Sequence, residues 1–313
     1  MTSNPLTVLL PAHAEGRLLK KSVRSIQNQT FISWQMLLLL DSPTRKTESI
    51  AQSMANADSR ISILRFDYRN LGRVLFEATE TLCSEFVARM DGDDIAHPTR
   101  FEHQVAHMLN DSDVVALGSN VRLIDKHGLV FGQSDVPLNH ESIMDGLLRG
   151  HGSAIVHPTA IFRREALMEC GSYSPRLRKG EDLDLFLRLS DFGRLSNLSE
   201  TLLDFRKHAQ SSTHGENRRE ALVRRHETVQ RFLDEKPRKL AVPPITPLPA
   251  SQPKDLELRV LSSAFQGGHG LTLVVYLTKA VFDFGFLVVV IRYLRSRLNR
   301  LSKKIGSAQD SHG

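Results

Sequence analysis

Two cysteines, Cys83 and Cys170, are all that 313 residues contain. That excludes a disulfide framework and a zinc site of four cysteine ligands, and it fits a reducing, cytosolic setting. Neither a G-x-G-x-x-G fingerprint nor a P-loop is present, so the glycine-rich phosphate cradles are excluded. No secretory signal is readable, because Met1 to Pro5 holds no basic residue and the apolar run Leu6 to Leu10 stops at Pro11. An excess of charge of one sign is confined to one end. The formal charge is +6, but residues 292–313 carry Arg292, Arg295, Arg297, Arg300, Lys303 and Lys304 against Asp310 alone, which leaves the rest of the chain near +1. A basic tail on a near-neutral body points to an anionic membrane surface as a partner and away from nucleic acid. The whole chain is 41% apolar and 24% charged, the composition of a globular chain rather than a disordered or polytopic one. The length suits about two domains.

Short apolar runs at Leu6 to Leu10 and Met36 to Leu40 have buried-strand length, and a helix-length segment, Glu15 to Gln29, separates them. A helix over Lys46 to Asn56, a strand at Ile61 to Leu64 and another at Glu85 to Met90 continue the alternation. Strands alternating with helices predict right-handed crossovers and a mixed, mainly parallel α/β sheet. In such sheets ligands bind beyond the carboxyl ends of the strands, where Pro11 to Glu15, Asp41 to Thr44 and Asp91 to Asp94 fall. Six of thirteen prolines lie between Pro237 and Pro253, which predicts an extended linker. The domain expectation is therefore 1–235, a linker at 236–256, and a C-terminal appendage at 257–313. In the appendage, Leu271 to Ile291 reads as an apolar helix whose Thr272, Lys279 and Asp283 form one narrow polar stripe facing water.

Asp91, Asp93 and Asp94 put three carboxylates within four residues at a strand end. They repel one another, and a divalent cation with a taste for hard oxygen ligands, Mg²⁺ or Mn²⁺, would neutralise them. A calcium EF-hand fails on position, since Ala96 stands where its glycine is obligatory. The plainer alternative is a solvated acidic turn. His103 and His107 share a helical spacing, but Phe101, Val105, Met108 and Leu109 mark the buried side of that helix as the other one.

Asp91-Gly92-Asp93-Asp94 resembles the D-x-D-D element of the inverting family 2 glycosyltransferases of GT-A fold, and seven further segments follow in that family's order. Leu6 to Glu15 is similar to its first strand and P-x-x-N-E loop, Ser25 to Phe31 to its S-I-x-x-Q-T segment, Leu40 to Thr44 to its D-D-x-S-T turn and Asn70-Leu71-Gly72 to its N-x-G. His157-Pro158-Thr159, Gly180-Glu181-Asp182 with Arg188, and Arg206-Lys207-His208 complete the series.

The resemblance implies transfer of a sugar from a nucleotide-sugar, UDP-linked, to a hydroxyl on a glycan or lipid-linked acceptor. It implies Asp93, supported by Asp91 and His208, as holder of Mg²⁺ or Mn²⁺, and Asp182 as general base with Asp184 as local competitor. Pro11, His13, Glu15, Asp41, Asn70, Gly72, Arg73 and Gly92 are the implied nucleotide-sugar contacts. His157, Glu181, Arg188 and Arg206 are placed beside the acceptor. The chain departs from the pattern at His13-Ala14, where the family carries an aromatic and an asparagine, at Leu40, where it carries a first aspartate, and at Arg45. A nucleotidyltransferase would need a basic glycine-rich loop after the first strand, and Pro11 to Gly16 is not one; a non-catalytic scaffold of the same fold is the other alternative. A cytoplasmic protein, peripheral or monotopic at the membrane face, is the expected setting.

Overall fold

A computed structural model describes residues 5–207, 218–236, 260, 263–264 and 268–282. The apolar runs become strands β1 (Leu6–Ala12), β2 (Trp34–Asp41) and β3 (Ile61–Phe66), with helices α1 (Arg17–Gln27) and α2 (Arg45–Ala57) between them. Helix α3 (Leu71–Thr79) then leads to β4 (Phe86–Arg89). Their pairing is parallel, β3-β2-β1-β4, and Leu9, Leu10, Leu38, Leu39 and Leu40 are wholly buried, as expected of central parallel strands covered on both faces.

Beyond β4 the sheet turns antiparallel. β5 (Ile95–Ala96) pairs with β9 (Arg194–Arg206), and β8 (Ile161–Arg163) lies between β4 and β6 (Val114–Ile124), antiparallel to both; β7 (Val130–Gln133) pairs β6. Helices α4 (Arg100–Asn110), α5 (His140–Leu148), α6 (Arg164–Glu169), α7 (Glu181–Leu189) and α8 (Arg218–Asp234) complete this part of the chain. Phe162, Tyr173, Leu185 and Phe186 fill its core. On α4 the buried face carries Phe101, Val105 and Met108 as expected, but Leu109 is 62% exposed. The buried arc of α4 is one residue narrower than the spacing predicts.

The chain divides into two compact units, residues 1–122, 133–205 and 217–248 in one and residues 123–132, 206–216 and 249–313 in the other. The second has its own small core of Phe131, Val260, Ala264 and Tyr276. Its helix α9 (Gly270–Phe282) corrects the reading of the polar stripe at Thr272, which was expected to face water. Thr272 is buried and donates its hydroxyl to the Val130 carbonyl, and Tyr276 donates to Asp125 at 2.9 Å. Leu271, Val274, Val275 and Leu277 face outward instead. Periodicity fixes which residues share a face, and it does not say which face turns inward. Among the described residues no helix is long and apolar enough to cross a membrane. Lys279 and Asp283, the linker and the basic tail lie outside the described side chains.

Candidate active site

The carboxyl ends of β1, β2 and β4 meet at one edge. Met90 donates its backbone N–H to the Leu9 carbonyl at 3.1 Å, carrying the chain from β4 into the acidic loop beside β1. There Asp91, Asp93 and Asp94 bring one oxygen each within 4.8 Å of one another. Three carboxylate donors so close match the hard-oxygen ligation of Mg²⁺ or Mn²⁺. Gly92 lets this loop pack against β1, since a Cβ there would sit 3.0 Å from the Pro11 carbonyl oxygen and 3.2 Å from Glu15 Cγ. Burial raises the Glu15 carboxyl above its ordinary value; backbone hydrogen bonds oppose the rise, and the charges of Asp93 and Asp91 add to it.

His13 stands exposed at the mouth, its Nδ1 2.8 Å from the Asp41 carbonyl, and its own carbonyl accepts from Thr44 N–H at 2.8 Å. The Asp41 carboxylate accepts three backbone N–H groups, from Tyr68 at 2.7 Å, Arg69 at 2.9 Å and Asn70 at 3.1 Å. It therefore shapes the loop after β3. Asn70 caps α3 by accepting from Arg73 N–H and donates its amide to the Pro175 carbonyl at 3.1 Å. Arg73 lies over the Tyr68 ring at 3.8 Å and pairs with Glu77. Gly72 has no room for a side chain, because a Cβ would fall 2.6 Å from the Leu177 oxygen and 2.7 Å from the Ser174 oxygen. Gly72→Ala is expected to cost about 1–3 kcal/mol or more by forcing these two loops apart, and a thermal melt reads it.

Gly180, in the left-handed region at φ 77°, turns the chain into α7. Glu181 and Asp182 open the helix. Burial, and then the neighbouring Asp182 charge, push the Glu181 carboxyl up to about 7 against the opposing pull of Arg89. Burial raises Asp182 as well, against a backbone hydrogen bond from Leu183 and the charges of Arg89 and Arg224. Its Oδ2 lies 3.2 Å from where a Gly152 Cβ would stand, so the turn at 152–154 walls it on one side. The competitor Asp184 is committed elsewhere, in an ion pair with Arg188 at 2.7 Å.

Residues 7–171, more than half of the chain, match the sequence profile of Glycosyl transferase family 2. The chain belongs to that family. Among similar proteins, the O-antigen biosynthesis glycosyltransferase WbnJ of Escherichia coli is 28% identical over 66% of this chain and 81% of its own length. The putative glycosyltransferase EpsE of Bacillus subtilis is 30% identical over 66% of this chain and 75% of its own. In fold, the chain is similar to S. aureus TarS 1-349 in complex with UDP-GlcNAc, with TM-score 0.60 at 14% identity over 83% of this chain and 72% of that one. It is also similar to the mannosyltransferase PcManGT of Pyrobaculum calidifontis in complex with GDP-Man and Mn²⁺, with TM-score 0.54 at 14% identity over 94% and 80%. The GT-A fold implied by the motifs is the fold observed.

Three further motif residues of this family 2 glycosyltransferase make contacts within the fold. His157 is buried with Nε2 2.9 Å from the Tyr173 hydroxyl, and burial, with the Arg89 charge adding, holds it neutral well below the usual imidazole range. Arg188 donates to the Cys170 carbonyl at 2.6 Å and ties α7 to the end of α6. Arg206 is buried and donates to the Asp125 carbonyl at 2.8 Å. His208 lies outside the described residues. Two residues of this glycosyltransferase were missed in the motif reading. Arg89, 3% exposed at the end of β4, contacts Asp91 at 2.5 Å. Arg100, wholly buried, donates to the Arg89 carbonyl at 2.9 Å, and burial pulls its guanidinium down to about 9. The signal for Arg89 was in the sequence: a cation inside an apolar strand run, two residues before the carboxylates.

Proposed function

We propose that this glycosyltransferase moves one sugar from a nucleotide-diphosphate sugar to a hydroxyl of a glycan or lipid-linked acceptor, with inversion at the anomeric carbon. The observation that carries this reading is the pairing of an acidic triad at the β4 end with a carboxylate, Asp182, that no ion pair engages among the contacts described. The structural neighbours hold UDP-GlcNAc in one case and GDP-Man with Mn²⁺ in the other, which supports a nucleotide-sugar donor and a divalent cation. Asp93 and Asp91 would hold Mg²⁺ or Mn²⁺, whose chemistry when bound is to neutralise the negative charge of the departing diphosphate. His13 and the loop shaped by Asp41 take the nucleobase. Asp182 accepts the proton of the acceptor hydroxyl as its oxygen attacks the anomeric carbon from the face opposite the diphosphate. A single displacement of this kind inverts the configuration.

A panel of nucleotide-sugars, scored for Mn²⁺-dependent hydrolysis and for binding, tests the reading. One donor turned over in a metal-dependent way supports it; binding without turnover of any donor favours the scaffold alternative.

The outward apolar face of α9 and the basic residues of 292–304 support peripheral association with the cytoplasmic face of a membrane. The double substitution Val274→Ser and Leu277→Ser is expected to reduce co-flotation with anionic vesicles several-fold while donor hydrolysis stays unchanged. Undiminished flotation would count against α9 as the lipid contact.

A further inference from the structure

Asp182 is flanked by a stretch of bare backbone. Its Oδ1 accepts the Leu183 N–H at 2.8 Å, and Gly152 lies against the rest of the carboxylate, where a Cβ would stand 3.2 Å from Oδ2 and 3.4 Å from Cγ. Gly152 is not in the left-handed region, so its lack of a side chain serves this close approach and not a backbone turn. Two carbonyls of the turn that carries it are taken by other elements. Arg225 of α8 donates Nη1 to the Gly150 carbonyl at 3.2 Å, and Asn197 of β9 donates Nδ2 to the Ala154 carbonyl at 2.8 Å. Both side chains are buried. Arg225 also shares the inward stripe of α8, since Val229, Phe232 and Leu233, four, seven and eight positions on, all enter the core. An apolar side chain would pack there without taking a guanidinium out of water, so helix packing alone does not explain an arginine at this place. The residue before it reaches the other segment beside the carboxylate: Arg224 Nε would lie 3.2 Å from a Gly180 Cβ, two positions before Asp182.

We propose that Arg225 is a positioning residue for the base: from α8 it anchors the 150–154 turn, so that Gly152 closes over Asp182 and fixes the aim of its carboxylate. The inference rests on the glycosyltransferase reading above and on Asp182 as its base. A carboxylate takes a proton only from an oxygen within about 2.6–3.2 Å, and a misplacement of about 1 Å can cost ~10²-fold in rate. The Leu183 N–H fixes one oxygen, and the turn keeps the carboxylate from swinging about that bond. The turn holds itself only in part. Gly150, at φ 77°, ends α5, with its N–H donating to the Leu147 carbonyl at 2.8 Å and the His151 N–H to the Gly146 carbonyl at 2.9 Å. Those bonds tie the turn to α5, whereas Arg225 and Asn197 set where it lies relative to α7. The acidic loop at the β4 end is on another part of the sheet, so loss of the Arg225 anchor should appear in turnover and not in donor affinity.

The test compares R225M, which keeps an unbranched stem but has no donor for the Gly150 carbonyl, with R225K, which keeps one. Three quantities are read in the full chain: kcat for hydrolysis of a donor that the wild type turns over, the Kd of that donor by calorimetry, and amide hydrogen exchange across residues 150–154. R225M is expected to lower kcat ~10-fold, the scale of a base displaced by a fraction of an ångström, with donor Kd within about twofold of wild type. Exchange in the turn should quicken in the same variant. R225K is expected to recover most of kcat and of the protection. Wild-type kcat in R225M with only a lowered melting temperature would overturn the proposal, as would equal losses of kcat and donor affinity. Should R225M not fold, G152A decides, because its Cβ crowds Asp182 from the side of the turn and leaves α8 untouched. It should show the same fall in kcat at unchanged donor Kd, and wild-type kcat in it is the overturning result. Failure of the underlying reading looks different: a wild type that turns over no donor, or an Asp182→Asn variant with wild-type turnover, is seen before any Arg225 variant is compared.

Discussion

Asp182→Asn is expected to lower kcat by roughly 10²-fold or more while donor affinity stays within about twofold of wild type. The asparagine keeps the shape and still accepts the short hydrogen bond from Leu183 N–H, 2.8 Å in the native chain, so the start of α7 should survive. What it loses is the capacity to take a proton. Burial raises the Asp182 carboxyl above its ordinary value, so the deprotonated form that the proposed base needs predominates only above that raised value, and kcat of the wild type is expected to fall as the pH drops through it. In the variant that acid limb should flatten, because the group that made it has gone. Asp184→Asn is the instructive contrast. Asp184 holds Arg188, and Arg188 holds the Cys170 carbonyl, so the loss there should appear in the melting temperature with the acid limb in place. If donor affinity collapses in Asp182→Asn, or if Asp184→Asn is the variant without an acid limb, the assignment of the base is wrong.

Asp93→Ala is expected to cost ~10²–10³-fold in Mn²⁺-dependent turnover, the scale on which electrostatic stabilisation of a leaving charge is lost. Excess Mn²⁺ should not restore it, since only Asp91 then remains of the two carboxylates proposed to hold the ion, and Asp94 is buried. Asp93 is half-buried in a turn and fills no core, so the melting temperature should stay near that of the wild type. Near wild-type transfer at saturating Mn²⁺ would remove Asp93 from the site.

The parallel half of the fold was legible because each of its strands is an apolar run bounded by a polar turn. β1 and β2 are covered on both faces, so nearly every residue had to be apolar, and their ends fell within a few residues of the expected ones. The antiparallel half was harder to see. β5 has two residues and β8 three, too short for any period to register, and their partners lie far along the chain: Ile95 opposite Asp204, and Phe86 opposite Arg163. The same distance hid the roles of motif residues. Gly72 is a glycine because Ser174 and Leu177 carbonyls press on it, and Asn70 reaches Pro175 across 105 positions. Asp41 was expected to read a base, yet its carboxylate is engaged by three backbone amides. Residue type announced that these positions mattered, and the packing shows which of them hold the loops at the strand ends.

Helix α9 joins its own unit through the small core that Tyr276 enters and through two hydrogen bonds, Thr272 to Val130 and Tyr276 to Asp125, and leaves Leu271, Val274, Val275 and Leu277 outside. The outward apolar face gives the proposed membrane association a calorimetric signature. Apolar area leaving water lowers the heat capacity by about 0.45 cal/K/mol for each Å², whereas attraction between basic side chains and headgroups removes little such area. Titrations at several temperatures should therefore show a negative heat-capacity change that shrinks when Val274 and Leu277 become serine and persists when salt is raised. The affinity itself should follow the opposite course, weakening with salt through the basic tail, so that the two contributions of the C-terminal segment can be measured in one experiment.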